Sequence, residues 1–276
     1  MAFREADSAF CIMSADSTRS ELPPGLLEEY LESAQGQLAY LAGIAGRLAA
    51  RNDDTEALDE LRREVHKIHG SAGSYGFWSA SRLAAGMEET AKDWVGRPHD
   101  TEVDRGSLTH WFVVRLAAAL GLEAPPAGRG APPPEPAPSP PVAADQAGTA
   151  EIIVVEDDPA LADLLIYGLR SRGYRFQLFR NGREALDALL AFEPGVGAGE
   201  QHPLLLLDVD LPALDGYSIF DTLQRDRPGR YRVVFTTVHG DESEQLRGLE
   251  AGALDYLVKP ISLRVALEKI RRWVGR

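Results

Sequence analysis

Polar residues follow several apolar runs in the second half of this chain, and their types are those that phosphoryl chemistry needs. The apolar runs are 152–155, 204–207, 233–235 and 256–258. The polar residues after them are Glu156, Asp157, Asp208, Thr237 and Lys259. In a parallel sheet the carboxyl ends of the strands border one crevice, so these side chains would meet there. Three carboxylates, a hydroxyl and an ammonium predict a divalent-cation site with a nucleophile and a phosphate-binding cation.

Asp208 is the best-placed nucleophile, because it ends an unbroken apolar run that is typical of a central strand buried on both faces. Mg²⁺ would offset the repulsion between a carboxylate and the phosphoryl oxygens. It takes oxygen ligands and retains waters, so Asp157 and Asp208 would suffice, with Glu156 acting directly or through water. Thr237 and Lys259 would each bind a phosphoryl oxygen.

A second set of candidate residues lies in the stretch 65–77. One apolar stripe, with members three and four residues apart, predicts the buried face of a helix. Its members are Leu58, Leu61, Val65, Ile68, Ala72 and Tyr75. His66 lies about 130° from the centre of that stripe and is expected to be exposed. Gly70 and Gly73 extend the face of His66, and His69 follows it by three residues.

Glycine within a helix costs about 1 kcal/mol relative to alanine, so repeated glycines need a reason. Beside His66 they would let another protein approach the imidazole closely, as in-line transfer between proteins requires. A metal site formed by His66 and His69 is a weaker alternative, because no carboxylate or cysteine in this stretch completes a ligand set.

The elements that would position these residues fall into two different patterns. Alternating strands and helices after residue 150 predict a parallel sheet covered by helices on both faces. The predicted strands are near 151–155, 174–179, 203–208, 231–237 and 254–259. The predicted helices are near 159–172, 182–192, 216–226, 242–252 and 262–275. Earlier in the chain, helices at 26–31, 33–51, 55–75, 79–95 and 104–120 predict an antiparallel bundle.

The predicted organisation is a disordered segment at 1–21, a helical bundle at 22–122, a linker at 123–149 and an α/β domain at 150–276. The linker holds nine of the 18 prolines, and extended polyproline II geometry would let it reach about 80 Å. A net charge of −13 disfavours nucleic acid as a partner. The single cysteine, Cys11, fits a reducing cytoplasm, and no apolar run is long enough to span a membrane.

Residues 151–276 resemble a complete response-regulator receiver domain. The motifs that match are Val154-Val155-Glu156-Asp157, Leu207-Asp208-Val209-Asp210-Leu211-Pro212, Asp215-Gly216, Thr237, Tyr256 and Lys259-Pro260. The resemblance implies a flavodoxin-like, five-stranded sheet in the order 2-1-3-4-5 and phosphorylation of Asp208. It implies Glu156 and Asp157 as the acidic metal pair and the backbone carbonyl of Asp210 as a further ligand. Thr237 and Tyr256 would be the switch pair.

This chain departs from the receiver pattern at Val238, where the family usually has a small residue. Asp210 and His239 occupy positions that tune the lifetime of the phosphate in the family. The Asp208-Val209-Asp210 sequence also matches the Asp-x-Asp motif of haloacid-dehalogenase-type phosphatases. That alternative requires the motif on the strand that opens the domain, whereas here it lies on the third predicted strand.

The histidine helix resembles the signature of histidine-phosphotransfer (Hpt) domains, His-x-x-Lys-Gly-Ser-Ala-Gly-x-x-Gly. The resemblance implies that His66 is the phosphorylated histidine and that Gly70, Gly73 and Gly76 form its small-residue face. His69 stands where the family has lysine, and histidine is a weaker cation at neutral pH.

Together these features predict a cytoplasmic phosphorelay protein in which Mg²⁺-dependent transfer links His66 with Asp208 or with an aspartate of a partner receiver. No Gly-rich nucleotide loop is evident, so the expected phosphoryl donor is a sensor histidine kinase or another relay protein. Output is expected through protein–protein contacts. The alternative is a receiver-only switch whose Hpt-like bundle is a docking module that transfers no phosphoryl group.

Overall fold

The computed structural model describes Pro23 and residues 25–100, 103–126, 150–191, 202–238, 246 and 248–275. The chain divides into two compact units between Glu135 and Pro136. The expected disordered segment at 1–21 lies outside the described residues, as does the expected linker from residue 127 to 149. No helix in the described ranges combines the length and the apolar character needed to cross a membrane.

The N-terminal unit is a bundle built from four described helices. They are α1 (Leu26–Ala50), α2 (Thr55–Ala72), α3 (Trp78–Gly96) and α4 (Arg105–Leu120). The most extensive packing is between α2 and α3 and between α1 and α4. Helix α2 begins where Asp54 accepts a hydrogen bond from the Ala57 backbone N–H at 3.1 Å, which satisfies one of the free donors of the first turn.

Two of the expected helix boundaries in this unit were wrong. The expected break between residues 31 and 33 is absent, because buried Tyr30, Ala34 and Leu38 continue one stripe at helical spacing through α1. The histidine helix ends at Ala72 rather than at Tyr75. Residues Gly73–Tyr75 form a 3₁₀ turn, and Gly76 follows with a φ of 77° that favours glycine.

Buried Arg105 ties together the two connections at one end of the bundle. Its guanidinium donates hydrogen bonds to the backbone carbonyls of Asn52 at 2.8 Å, Pro98 at 2.7 Å and Arg97 at 2.9 Å, and also to that of Asp100. Asn52 belongs to the α1–α2 connection, and the others belong to the α3–α4 connection. One charged side chain therefore satisfies carbonyls from two loops.

Replacement of this arginine should weaken the N-terminal unit strongly. We expect Arg105→Met to lower its free energy of unfolding by about 3 kcal/mol or more, because charge-assisted hydrogen bonds are lost and buried carbonyls are left without donors. Urea unfolding followed by tryptophan fluorescence measures this, since Trp78, Trp94 and Trp111 lie in this unit. Arg62→Met is the control, because the partner of Arg62 among the described residues is Asp59, in a surface ion pair. Equal effects of the two substitutions would contradict the prediction.

The C-terminal unit is a five-stranded sheet with all pairings parallel and the order β2-β1-β3-β4-β5. The strands are β1 (Ile152–Val155), β2 (Phe176–Phe179), β3 (Leu204–Asp208), β4 (Arg232–Thr237) and β5 (Asp255–Val258). The helices are α5 (Pro159–Ser171), α6 (Gly182–Ala191), α7 (Gly216–Asp226) and α8 (Leu263–Val274). The predicted flavodoxin-like, doubly wound fold is confirmed. Of the helix predicted at 242–252, the described residues 246 and 248–250 are helical.

The central strands explain where the polar residues collect. Every residue of β1 and β3 is buried, which an apolar strand requires when helices cover both faces of the sheet. The register pairs Val155 with Leu207, Leu207 with Phe235 and Phe235 with Tyr256. Neighbouring strands therefore end side by side, and the polar residues that follow them lie along one edge.

Candidate functional site

Three carboxylates meet at the carboxyl ends of β1 and β3. Glu156, Asp157 and Asp208 each offer an oxygen atom, and these oxygens lie within 4.8 Å of one another. Glu156 and Asp208 are buried, whereas Asp157 lies exposed at the rim. Hard oxygen donors at this spacing fit Mg²⁺, which binds through a few carboxylates and keeps several waters.

Lys259 reaches this cluster from the residue after β5. Its Nζ lies 3.0 Å from Glu156 Oε1 and 2.9 Å from Asp208 Oδ2. Its backbone N–H donates to the carbonyl oxygen of Thr237 at 2.7 Å, which fixes the start of the side chain. The ammonium therefore bridges the two buried carboxylates.

Burial and charge have opposing effects on this group of residues. Burial raises the pKa of Glu156, while the ammonium of Lys259 acts in the opposite direction. Burial also disfavours the charge of Lys259, but the negative charges of Glu156 and Asp208 outweigh it and raise the pKa of that ammonium. The pKa of Asp157 is raised by partial desolvation and then by the charge of Asp208. Concentrated negative charge of this kind favours a bound divalent cation.

The loop after β3 orients Asp208. The backbone N–H of Asp210 donates to Asp208 Oδ1 at 3.2 Å, so one carboxylate oxygen contacts the loop and the other contacts Lys259. Asp215 caps α7 by accepting from the Ser218 N–H at 2.9 Å. A Cβ added at Gly216 would overlap the carbonyl oxygen of Asp208. The Asp-Gly sequence therefore lets α7 begin against the backbone of the candidate nucleophile.

The two predicted switch residues lie on the β4 and β5 side of the cluster. Thr237 ends β4 and is buried, and it pairs in register with Val258. Tyr256 is buried, with its hydroxyl oxygen 3.5 Å from that of Tyr217. Val238, which departs from the small residue usual in the family, is 59% exposed. His239 lies outside the described residues.

One contact to the cluster was not anticipated from the sequence. Buried Thr236 donates from its hydroxyl to Glu156 Oε2 at 3.4 Å. The only sequence signal was the pair of threonines that follows the apolar run 233–235, and only Thr237 was predicted as a site residue. Thr236 therefore helps to orient the buried Glu156.

In the N-terminal unit, His66 and His69 share one buried carboxylate. The Nδ1 atom of His66 lies 3.0 Å from Glu88 Oε1, and the Nδ1 atom of His69 lies 2.7 Å from Glu88 Oε2. Lys92 Nζ contacts Glu88 Oε1 at 2.9 Å. The side chain of Glu88 is 7% exposed, compared with 70% for His66 and 42% for His69. A buried anion thus anchors two accessible imidazoles.

The charge state of Glu88 fixes the direction of these hydrogen bonds. Burial acts to raise its pKa, but hydrogen bonds from His69, Lys92 and His66 outweigh burial and lower the pKa to about 2. An ionised carboxylate only accepts hydrogen bonds, so each Nδ1 carries the proton. The Nε2 atom of a neutral His66 then holds the lone pair, in a side chain that is largely exposed.

Glu88 is the site residue that sequence reasoning missed. It follows Ala84 by four residues and precedes Ala91 by three, and both are buried. A charged residue on the buried stripe of α3 was the available signal, because such residues are rarely buried without partners. Nothing in the sequence related that position to a histidine on another helix.

The glycines near His66 have separate roles in the structure. A Cβ added at Gly70 would meet nothing within 4 Å, so this position leaves the surface beside His66 open. Gly73 is buried, and a Cβ there would lie 3.2 Å from Trp78 Cζ3. The expected small-residue face therefore does not extend to Gly73, because α2 ends at Ala72 and Gly73 is buried against Trp78.

The lowered pKa of Glu88 predicts an acid-dependent loss of stability. A carboxyl pKa lowered from 4.5 to about 2 in the folded state corresponds to about 3 kcal/mol of stability. That contribution is present above pH 4.5 and is lost as the pH falls towards 2. Between pH 6 and pH 3.5, we expect wild type to lose about 1 kcal/mol relative to Glu88→Gln. Urea unfolding followed by tryptophan fluorescence at both pH values measures this, and a pH-independent difference would contradict it.

Comparisons with known proteins match both units. Residues 152–271 match the family model described as the response regulator receiver domain, and residues 25–120 match the model of the Hpt domain. Among curated proteins, the chain is 35% identical over 125 residues to the transcriptional regulatory protein PcoR of Escherichia coli. It is also 35% identical over 127 residues to the phosphate regulon regulator PhoB of Rhizobium meliloti.

These alignments cover 45% of this chain and 51% of PcoR, and 46% of this chain and 52% of PhoB. The chain thus spans about half the length of the curated relatives it matches. Among solved structures, the receiver domain of the sensor histidine kinase PA1611 from Pseudomonas aeruginosa is 30% identical, with a TM-score of 0.38. That match covers 46% of this chain and 98% of the other, which was solved with a magnesium ion coordinated in its active site cleft.

Proposed function

This chain is a two-component signalling protein with an N-terminal Hpt domain and a C-terminal response-regulator receiver domain, and we propose that it relays phosphoryl groups between His66 and an aspartate. The observation that carries the proposal is the hydrogen bond from His66 Nδ1 to the buried carboxylate of Glu88. It leaves Nε2 as the nucleophilic nitrogen of an exposed imidazole.

Asp208 is the proposed phosphoacceptor of the receiver domain. Its carboxylate ends the central strand and belongs to the only group of three or more potential metal ligands found among the described residues. Glu156, Asp157 and Asp208 would hold Mg²⁺, with the backbone carbonyl of Asp210 as a further ligand. When bound, the ion supplies positive charge that offsets repulsion between the carboxylates and a phosphoryl group.

The remaining roles are assigned to residues around Asp208. Lys259, already within 2.9 Å of Asp208 Oδ2, would contact a phosphoryl oxygen as a point charge. The hydroxyl of Thr237 would donate to another phosphoryl oxygen, and Tyr256 would change position as that contact forms. The receiver domain would thereby act as a phosphorylation-controlled switch for binding other proteins.

Transfer to the Hpt domain exchanges one bond to phosphorus for another. The lone pair of His66 Nε2 forms an N–P bond as the P–O bond of the aspartyl phosphate breaks, and the carboxylate leaves with that electron pair. The Nδ1 proton stays on the ring, where Glu88 stabilises the positive charge that develops. In the reverse direction, an oxygen of Asp208 forms the P–O bond and His66 leaves as neutral imidazole.

We further propose that a sensor histidine kinase or another relay protein supplies the phosphoryl group in the bacterial cytoplasm. The proposed boundaries are 22–122 for the Hpt domain and 150–276 for the receiver domain, joined by the proline-rich linker 123–149. The aspartate that exchanges with His66 would be Asp208 or that of a partner receiver.

Two full-length variants test transfer without knowledge of the partner. The His66→Ala chain is labelled on Asp208 with [³²P]acetyl phosphate and Mg²⁺, freed of donor and mixed with the Asp208→Ala chain. We expect alkali-stable, acid-labile label to appear on the Asp208→Ala chain, because phosphohistidine has that stability. Replacing His99, which is 85% exposed and remote in sequence from the motif, should leave this uptake unchanged.

Loss of uptake when His66 is also replaced in the acceptor would support the relay. If no alkali-stable label appears although Asp208 is labelled, transfer between copies of this chain is excluded. Repeating the experiment with phosphorylated receivers from other proteins then separates a dedicated partner from the docking-module alternative, in which His66 stays unlabelled throughout.

A further inference from the structure

The hydroxyl of Tyr256 occupies space that a side chain at position 248 would fill. A Cβ built on Gly248 would overlap the Tyr256 hydroxyl oxygen and lie 2.9 Å from its Cζ. The three atoms nearest to that Cβ all belong to Tyr256. The ring of Tyr256 also packs against Phe235, with centroids 5.3 Å apart. The buried position of the tyrosine thus depends on the absence of a side chain at residue 248.

Backbone conformation does not explain the glycine at this position. Gly248 is helical and is not among the described residues with positive φ, unlike Gly252, whose φ is 101°. Glycine within a helix costs about 1 kcal/mol relative to alanine. The three atoms nearest to a Cβ at this position belong to Tyr256, and two of them lie too close to tolerate it. Space for this one side chain is therefore the physical reason for the glycine.

The location of this contact connects it to the phosphoacceptor site. Tyr256 pairs in register with Phe235, and Val258, two residues later, pairs with Thr237. Lys259 follows directly. Tyr256, whose buried position requires the glycine at residue 248, therefore lies on β5, which leads directly to Lys259. It also lies beside β4, which carries Thr237.

We propose that Gly248 is a positioning residue. Because it has no side chain, it leaves the space that the Tyr256 hydroxyl occupies, and it thereby sets the equilibrium between the buried and exposed positions of Tyr256 in the receiver domain. This inference rests on the proposed function, in which Tyr256 changes position as Thr237 contacts the phosphoryl group. Gly248 would be a second residue that influences the position of Tyr256. The collision falls on the far end of a side chain, so rotation of Tyr256 towards solvent relieves it without movement of the sheet. Even alanine at residue 248 is expected to shift the equilibrium outward.

The test uses the full-length chain labelled with ¹³C at the ε carbons of tyrosine. The Tyr256 signal is assigned by its loss in Tyr256→Phe, and its exposure is measured by relaxation from a soluble gadolinium chelate. We expect Gly248→Ala to increase that relaxation at least about threefold, since the wild-type ring is buried. Glu250→Ala, at an exposed position two residues later, should leave it unchanged. An equally protected Tyr256 in Gly248→Ala would overturn the proposal.

A double variant distinguishes loss of the space for the Tyr256 hydroxyl from a general destabilisation of the fold. Tyr256→Phe removes the overlapping hydroxyl, so the urea midpoint of Gly248→Ala/Tyr256→Phe should lie above the value that the two single effects predict by addition. Additive effects would count against a direct contact. Neither measurement requires phosphorylation. Failure of Asp208 to take up phosphate would therefore refute the proposed function, whereas the proposed role of Gly248 in positioning Tyr256 is tested independently by these two measurements.

Discussion

Asp208→Ala is expected to lower Mg²⁺-dependent phosphorylation of the receiver domain by at least about 100-fold. The substitution removes the proposed nucleophile and one of the three clustered carboxylates. It also removes one of the two carboxylates that Lys259 contacts. The ammonium of Lys259 is then paired with the single carboxylate of Glu156, so the fold should persist. Incorporation of label from [³²P]acetyl phosphate, measured on the His66→Ala background, reports this step alone.

Asp221→Ala is the matched control, because its side chain is exposed on α7 and has no role in the proposed site. It should retain labelling within about threefold of the parent chain. Binding of Mg²⁺, measured by isothermal titration calorimetry, should weaken in Asp208→Ala and persist in Asp221→Ala. Unchanged labelling of Asp208→Ala would assign the nucleophile to another residue.

Glu88→Ala is expected to lower phosphoryl uptake at His66 by about 10- to 100-fold, the usual effect of losing a residue that orients a reactive histidine. Without the carboxylate, the imidazole of His66 is free to rotate and to exchange its proton between the two nitrogens. The charge that develops during transfer also loses its counter-ion. The Asp208→Ala chain serves as acceptor, with phosphorylated His66→Ala chain as donor, so that only the Hpt side of the reaction changes.

Glu89→Gln controls for the loss of one negative charge on the same helix. Glu89 contacts Lys92 at 2.7 Å and contributes no contact to either histidine among those observed. The tautomer of His66, read from the ¹⁵N shifts of its ring, should become mixed in Glu88→Ala and stay Nδ1-protonated in Glu89→Gln. Normal uptake with a mixed tautomer would show that Glu88 has only a structural role.

The receiver half of the molecule was largely predictable because its information is local. Four of the five strands contain an apolar run, and the candidate residues lie at the ends of those strands or just after them, so parallel pairing alone brings Glu156, Asp208 and Lys259 together. The sheet order was implied by family resemblance and is confirmed by the pairing.

The Hpt half was predictable in its helices and in the exposure of His66, because helical periodicity fixes which face of α2 is buried. It was less predictable at helix ends. A stripe of apolar residues continues through a 3₁₀ turn as well as through an α-helix, so Tyr75 appeared to belong to α2. In the structure it stacks on Tyr30, with ring centroids 4.0 Å apart.

The sequence by itself determined the two domain types, the strand ends that carry the carboxylates and the histidine that faces solvent, since all of these follow from periodicity and order along one chain. Only the tertiary structure decided that Glu88 holds both His66 and His69, that Gly73 packs under Trp78 and that Gly248 accommodates Tyr256. Each of these is a contact between residues on different elements. Such contacts depend on how side chains meet across helices and strands, and the spacing of residues along the sequence does not indicate which of them meet.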